Sequence, residues 1–342
     1  MGKAPFRESP WDHPPVPPAL VLGGAVLAFS WAGPLVRLTD APALAVAAWR
    51  LLFSVAFVGL VLASRRTGSG WSRLSARGWL LAVGAGLLLA GHFWTWIASL
   101  RFTTVANSVV LVSTQPLFVG LLSLLFLGER PIRREWIGIA VAVVGAGLIG
   151  WGDVAVGGTA LLGDALALMG AVLAAGYYVA GRSLRQTLDL WSYVGVVYGV
   201  AALALTGAVL ASPEVPFTGY GPPDWAVFLA LAAGPMMVGH TGLNYALRYM
   251  RAYLANLAVL GEPVGATLIA WLLPAIAERP SWETVVGGLL ILSGVAVALG
   301  VLRPGRSRAP PGGESAPEKG QRRKPLPEAG VPSRDVPPEE RR

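Results

Sequence analysis

The chain has no cysteine, three histidines, and only 27 basic and 19 acidic side chains among its 342 residues. The missing cysteine excludes a disulfide framework, thiolate metal sites and cysteine nucleophiles, and leaves the redox compartment open. Charge at 13% of the chain is too sparse to cover the surface of a soluble domain of this length. Nucleophile and cofactor motifs are missing as well: no His-x-x-x-His pair, no Gly-x-Ser-x-Gly elbow and no phosphate-cradling glycine loop ahead of a helix. The acids inside apolar stretches are too few for an aspartyl dyad. The expectation is a protein that is not an enzyme, with no cofactor and no metal.

What is abundant is apolar surface, at 54% of residues, together with 43 glycines. That is the composition of a bilayer protein, because lipid-facing helices leave apolar side chains exposed and glycines let helices approach closely. A span needs about 20 apolar residues. The sequence divides into ten such segments, at residues 19 to 36, 43 to 63, 79 to 99, 103 to 127, 135 to 151, 161 to 181, 190 to 211, 225 to 246, 253 to 273 and 283 to 302. They are too long and too uniformly apolar for barrel strands, so helices are expected throughout. Segment 8 is the weakest, interrupted by Gly234 and Pro235.

The net charge of +8 resides in loops and tails, which argues against a nucleic-acid partner. Connections after even-numbered segments carry Arg65, Arg66, Arg73, Arg77, Arg130, Arg133, Arg134, Arg182, Arg185, Arg248 and Arg251. Those after odd-numbered segments hold only Arg37, Arg101 and Arg279, beside Asp40, Asp153, Glu214, Asp224 and Glu278. Positive charge stays inside, so both termini are expected in the cytoplasm of an inner-membrane protein. Residues 1 to 18 are polar and Pro-rich without the basic start of a secretory signal, so segment 1 is expected to be a retained span. From 303 to 342 the chain holds ten Lys or Arg against six Asp or Glu with almost nothing apolar, and is expected to form a disordered cytoplasmic tail that reinforces topology.

Internal similarity divides the apolar region in two. Gly24-Ala25-Val26-Leu27-Ala28 returns as Gly170-Ala171-Val172-Leu173-Ala174, pairing segments 1 and 6. Leu100-Arg101 and Pro116 return as Leu247-Arg248 and Pro263, and Glu129-Arg130-Pro131 with Gly138 and Gly145 as Glu278-Arg279-Pro280 with Gly287 and Gly294. Gly91-His92 is mirrored by Gly239-His240 in segments 3 and 8. Ordered matches at a steady spacing indicate duplication. With five spans in each half, 19–151 and 152–302, the second half must enter the membrane from the opposite side, giving an all-α membrane protein of two inverted repeats.

Trp49-Arg50, Ser113-Thr114-Gln115-Pro116, Gly128-Glu129-Arg130 and Gly261-Glu262-Pro263, in this order, resemble the drug/metabolite transporter superfamily, EamA type, over residues 19 to 302. The resemblance implies a central cavity between the halves, lined by segments 1, 3, 4, 6, 8 and 9, and transport of amino acids, metabolites or drugs. Segment 9 departs from the pattern, running two residues longer through Leu272-Leu273-Pro274-Ala275-Ile276-Ala277 before Glu278, so its outer end is expected to differ in shape.

Ionisable groups inside spans are costly and each needs a reason. Glu262, about ten residues into segment 9, is matched in the other half by Gln115; it either carries a coupling proton, binds a substrate amine, or is a neutral acid bonded between helices. Arg50 cannot shed its charge and needs an anion, from a substrate or from the protein. His92 and His240 either relay protons or bridge helices. Asn244, like Asn107 and Asn256, reads first as a helix cross-link. Trp31, Trp94, Trp96, Tyr177 and Tyr178 form a candidate aromatic cage, with bulk packing the alternative. Trp71, Trp79, Trp225 and Trp282 at segment ends read as interfacial anchors. Asp164 reads as the N-cap of segment 6.

These readings add up to an alternating-access secondary transporter of small metabolites, with export the leading direction and Glu262 the coupling group. An uncoupled facilitator is the alternative within the class; a flippase or a membrane scaffold is the alternative outside it. The partners are a small-molecule substrate, the lipid bilayer and a proton, with a homodimer allowed by the sequence but not required. Nothing in the sequence separates amino acids from sugars, nucleosides or drugs.

Overall fold

A computed structural model describes residues 14–65, 70–127, 132–156, 158–250 and 252–299. The expectations for the N-terminal segment through residue 13, Arg66, Gly128-Glu129-Arg130-Pro131, Arg251 and the tail from 303 fall outside these residues. Among the described residues the structure is all helix and turn, with no strand.

The chain runs through α1 (Pro18–Ser30), α2 (Ala32–Arg37), α3 (Ala43–Ser64), α4 (Ala76–Ser99), α5 (Val105–Val112), α6 (Gln115–Leu127) and α7 (Arg133–Val156). It continues with α8 (Ala160–Leu184), α9 (Leu190–Leu210), α10 (Pro222–Leu231), a π-helical stretch (Ala232–His240), α11 (Thr241–Tyr249) and α12 (Ala252–Asn256). A 3-10 turn (Leu257–Gly261), α13 (Glu262–Leu272) and α14 (Trp282–Leu299) complete it. Among the described residues, seven helical stretches are long and apolar enough to cross a membrane: Pro18–Arg37, Ala43–Ser64, Ala76–Ser99, Val105–Phe126, Ala160–Leu184, Leu190–Leu210 and Pro222–Tyr249. Three shorter apolar helices accompany them, Trp136–Ile149, Val259–Leu272 and Trp282–Gly294.

Polar caps start several helices. Thr104 accepts from Asn107 N, Ser75 from Gly78 N, and Asp189 from Trp191 N and Ser192 N. Two local expectations are corrected. Pro235 does not interrupt segment 8, because the chain widens into π-helix from Ala232 to His240, and the longer turn accommodates a residue with no N–H to give. Asp164 is not an N-cap: α8 begins at Ala160 after Thr159, which leaves Asp164 in its second turn and buried. The extra residues of segment 9 do not lengthen its helix either. α13 ends at Leu272, and the chain turns back through Ala277, whose φ of 50° is left-handed, so that Glu278 N donates to Ala270 O at 3.1 Å.

Glycines set the closest helix contacts. α7 and α14 lie antiparallel, and a methyl group added at Gly145 would stand 2.5 Å from the Gly287 carbonyl oxygen; at Gly294 it would stand 2.5 Å from that of Gly138. α1 runs antiparallel to the π-helical stretch and α11: Phe29 packs on Gly239 and Val21 on Gly242. At one end of this pair the Tyr245 hydroxyl donates to Val16 O at 2.7 Å, and at the other Thr39 Oγ1 donates to Asp224 Oδ1 at 2.5 Å. The ends of segments 1 and 8 therefore lie at opposite faces of the bundle.

Candidate functional site

Segment 4 breaks after α5 at Ser113-Thr114 and restarts as α6 on Gln115-Pro116; segment 9 tightens to 3-10 and restarts as α13 on Glu262-Pro263. In each case a proline sits second in the new helix, where its missing N–H costs no hydrogen bond. Both restarts open on one small interior cavity of about 30 Å³. Its walls are Phe29 and Ala32 of segment 1, Arg50 of α3, His92, Phe93 and Trp96 of α4, Val112 and Gln115, Tyr178 of α8, His240, Val259 and Glu262. Segment 2 thus joins the six segments that the family resemblance implies.

The polar groups of this wall are almost sealed from solvent. Gln115 Nε2 donates to Asn256 Oδ1 at 2.9 Å, tying α6 to α12 across the middle of the bundle. His92 Nδ1 lies 2.9 Å from Gly170 O, and His240 Nδ1 lies 3.0 Å from the Tyr178 hydroxyl. The two imidazoles meet edge-on, 61° apart in plane, at a centroid distance of 5.9 Å. Glu262 is 6% exposed and Arg50 1%, and among the described residues no ion pair joins them. The Arg50 guanidinium carbon instead stands 4.1 Å over the Phe93 ring.

Tyr177 and Asn244 lie beside the cavity, outside its wall. Asn244 Nδ2 donates to the Tyr177 hydroxyl and, at 3.5 Å, to that of Tyr198, which lies 3.0 Å from Thr241 Oγ1. This network continues to Arg185, whose Nε donates to Asn244 O at 3.0 Å and Nη1 to Leu188 O at 2.5 Å.

The aromatic cage is only partly assembled. Trp96 and Tyr178 reach the cavity, whereas Trp31 and Trp94 do not: they are 46% and 50% exposed on the outside of the bundle, and Trp94 lines a separate shallow lateral pocket with Leu44 and Leu205. Span sequences that are apolar on every side do not tell which face turns inward. Phe29 and Phe93 take their place. Phe93 sits beside His92 in the sequence, and the neighbouring histidine was the available signal.

Two arginine latches close the ends of the spans. At one face Arg37 Nη2 donates to Thr103 O at 2.9 Å, while Arg101 Nη2 donates to Thr39 O at 2.9 Å and Ala41 O at 2.6 Å. Arg37 Nε also pairs with Glu278 Oε1 at 2.7 Å, and Glu278 Oε2 accepts from Val105 N at 2.7 Å. At the other face Arg182 Nη1 donates to Leu247 O at 2.6 Å and Arg248 O at 3.1 Å, while Arg248 Nη1 donates to Arg185 O at 3.0 Å.

With this geometry in place, the comparisons with known proteins are specific. A model of the EamA-like transporter family matches residues 18–151 and again 161–300. An uncharacterized transporter of Archaeoglobus fulgidus is 25% identical over 263 residues, which is 71% of this chain and 86% of that protein. A riboflavin transporter of Rhizobium johnstonii is 33% identical over 185 residues, 50% of this chain and 58% of its own length. A solved crystal structure at 23% identity superposes with a TM-score of 0.61, covering 84% of this chain and 98% of that one, and shares its fold.

Proposed function

The chain belongs to the EamA-like transporter family, and from that premise we propose that this multi-pass membrane protein carries a small organic solute through the central cavity by alternating access. The observation that carries the reading is the cavity itself: Arg50, Glu262, His92 and His240, drawn from four distant segments, converge inside an otherwise apolar bundle. Charged groups at that depth are costly and persist where a solute or proton uses them.

The reading includes ten spans in two inverted halves, 19–151 and 152–302, with the N- and C-termini cytoplasmic in an inner membrane. Three observations support it. The family model matches the chain in two successive stretches. The contacts of Gly138 with Gly294 and of Gly145 with Gly287 exchange when the two halves are swapped. The latches swap in the same way, since Arg37 and Arg101 cross-bond the ends of segments 1 and 3 as Arg182 and Arg248 do those of segments 6 and 8. On this reading the Arg37 latch is the outer gate and the Arg248 latch the inner one, and solute passes outward as one opens and the other holds.

Glu262 is the coupling group in this scheme, with Gln115 its uncharged counterpart. Purified protein in liposomes, given a pH gradient and a panel of labelled amino acids and aromatic metabolites with riboflavin included, tests it. Gradient-driven flux is expected in the wild type and is lost in Glu262→Gln. Flux that the substitution leaves unchanged assigns Glu262 to helix packing.

A further inference from the structure

We infer that Arg50 is the seat of a carboxylate, and that the cavity takes small organic acids with an apolar or aromatic body. This rests on the reading of the cavity as the solute site and names the solute's class. Arg50 is 1% exposed, and its Nε and Nη1 have no hydrogen-bond partner among the described residues. Arginine keeps its charge in a protein, and a buried charge without a counter-ion is among the most unfavourable arrangements a fold can hold.

None of the described groups around it makes a direct bond to it. The Phe93 ring centroid lies 4.1 Å from the guanidinium carbon and offers a π face but no anion. Tyr178, Tyr198 and Glu262 are its electrostatic neighbours, and none of them bonds to it. The two histidines add no anion. A planar carboxylate matches the guanidinium in charge and in donor geometry.

Two further features favour an anion at this spot. Gln115 and Glu262, the first residues of α6 and α13, line the cavity, so a helix start from each half borders it. Phe29, Trp96, Val112 and Val259 give the same wall an apolar part that suits a hydrocarbon body.

The test uses the full-length protein in lipid nanodiscs and measures binding of phenylacetate, its neutral isostere phenylacetamide, the amine phenethylamine, phenylalanine and inorganic phosphate by ligand-dependent thermal shift and titration. Phenylacetate is expected to bind at least about tenfold more tightly than the amide or the amine. That preference is lost in Arg50→Gln and partly kept in Arg50→Lys, which retains the charge without the fork. The selectivity of the wild type stands as a test even if a variant misfolds. Equal binding of phenylacetate and phenylacetamide overturns the inference. So does phenylalanine binding without phenylacetate binding, which assigns the site to zwitterions, and so does phosphate binding ahead of every carboxylate. Carboxylate binding with no flux of any solute leaves the inference standing and overturns the transport reading; flux of neutral solutes with no carboxylate binding does the reverse.

Discussion

The two ends of the bundle are closed by the same device built to different depths. At the proposed outer end, Arg37 and Arg101 reach across to backbone carbonyls, and Glu278 from the far half locks Arg37 to the start of α5. The Arg37 and Glu278 side chains are 26% and 21% exposed, so water and salt weaken that pair. At the proposed inner end, Arg182 and Arg248 make comparable carbonyl bonds, and nearby Arg185 is 2% exposed and donates to the Asn244 and Leu188 carbonyls. A partly wet ion pair can exchange protein partners for solvent at little cost, whereas a sealed guanidinium cannot. The Arg37 end is therefore expected to be the easier to open, and the Arg185 end the better sealed.

The largest effect that would break this comparison is at Arg185. Replacing it in Arg185→Met removes two charged donor bonds, to the Asn244 and Leu188 carbonyls, from a buried site, and a loss of about 2–4 kcal/mol is expected in thermal unfolding of the purified protein. A shift no greater than that of Arg37→Met would show that depth does not distinguish the two ends.

Next comes the outer latch. The absence of native cysteine allows a single thiol at Ala32→Cys, in the cavity wall, to report access from outside. Arg37→Met is worth about 1 kcal/mol at this partly exposed pair, so labelling by an impermeant reagent should speed about fivefold. The same thiol in an Arg182→Met background should gain nothing from the outside. Equal acceleration in both backgrounds would remove the assignment of faces.

The smallest effect concerns the ion pair of the inner end. Arg65 Nη1 bonds Asp189 Oδ1 at 2.6 Å, and Asp189 also accepts from the Ser192 hydroxyl and caps α9. Partial burial pushes the Asp189 carboxyl up, but the bonds from Ser192 and Arg65 outweigh it and hold the group below the usual carboxylate range. A depressed folded-state value means that the stabilisation is fully present above the ordinary aspartate value of about 4 and fades as pH falls through the folded-state value below it. Thermal midpoints of the wild type and Asp189→Asn should therefore differ at neutral pH and draw together in acid. A difference that grows in acid would reverse the sign.

Much of this molecule was legible in its sequence. The helical stretches fall within a few residues of the apolar segments, because length and hydropathy are local properties that a bilayer protein must display. Glu262, Gln115, Arg50 and the two histidines stood out because a polar residue in an apolar span is conspicuous by itself. Trp31 and Trp94 were misplaced for the converse reason, since an aromatic residue is as much at home facing lipid as facing a cavity. Asp164 was misread because the turn at Gly158 and Thr159 starts α8 earlier than the glycine before the acid indicated.

The sequence by itself determined the class, the apolar helical stretches, the two-part similarity and the short list of costly residues, all of them consequences of how composition meets lipid. Only the tertiary structure decided which of those residues meet. It stacked Arg50 on Phe93, set His92 against His240, tied Gln115 to Asn256 and turned two tryptophans outward. The rotation of a uniformly apolar helix about its own axis is fixed by the glycines and side chains packed against it, and by nothing in its own hydrophobic pattern.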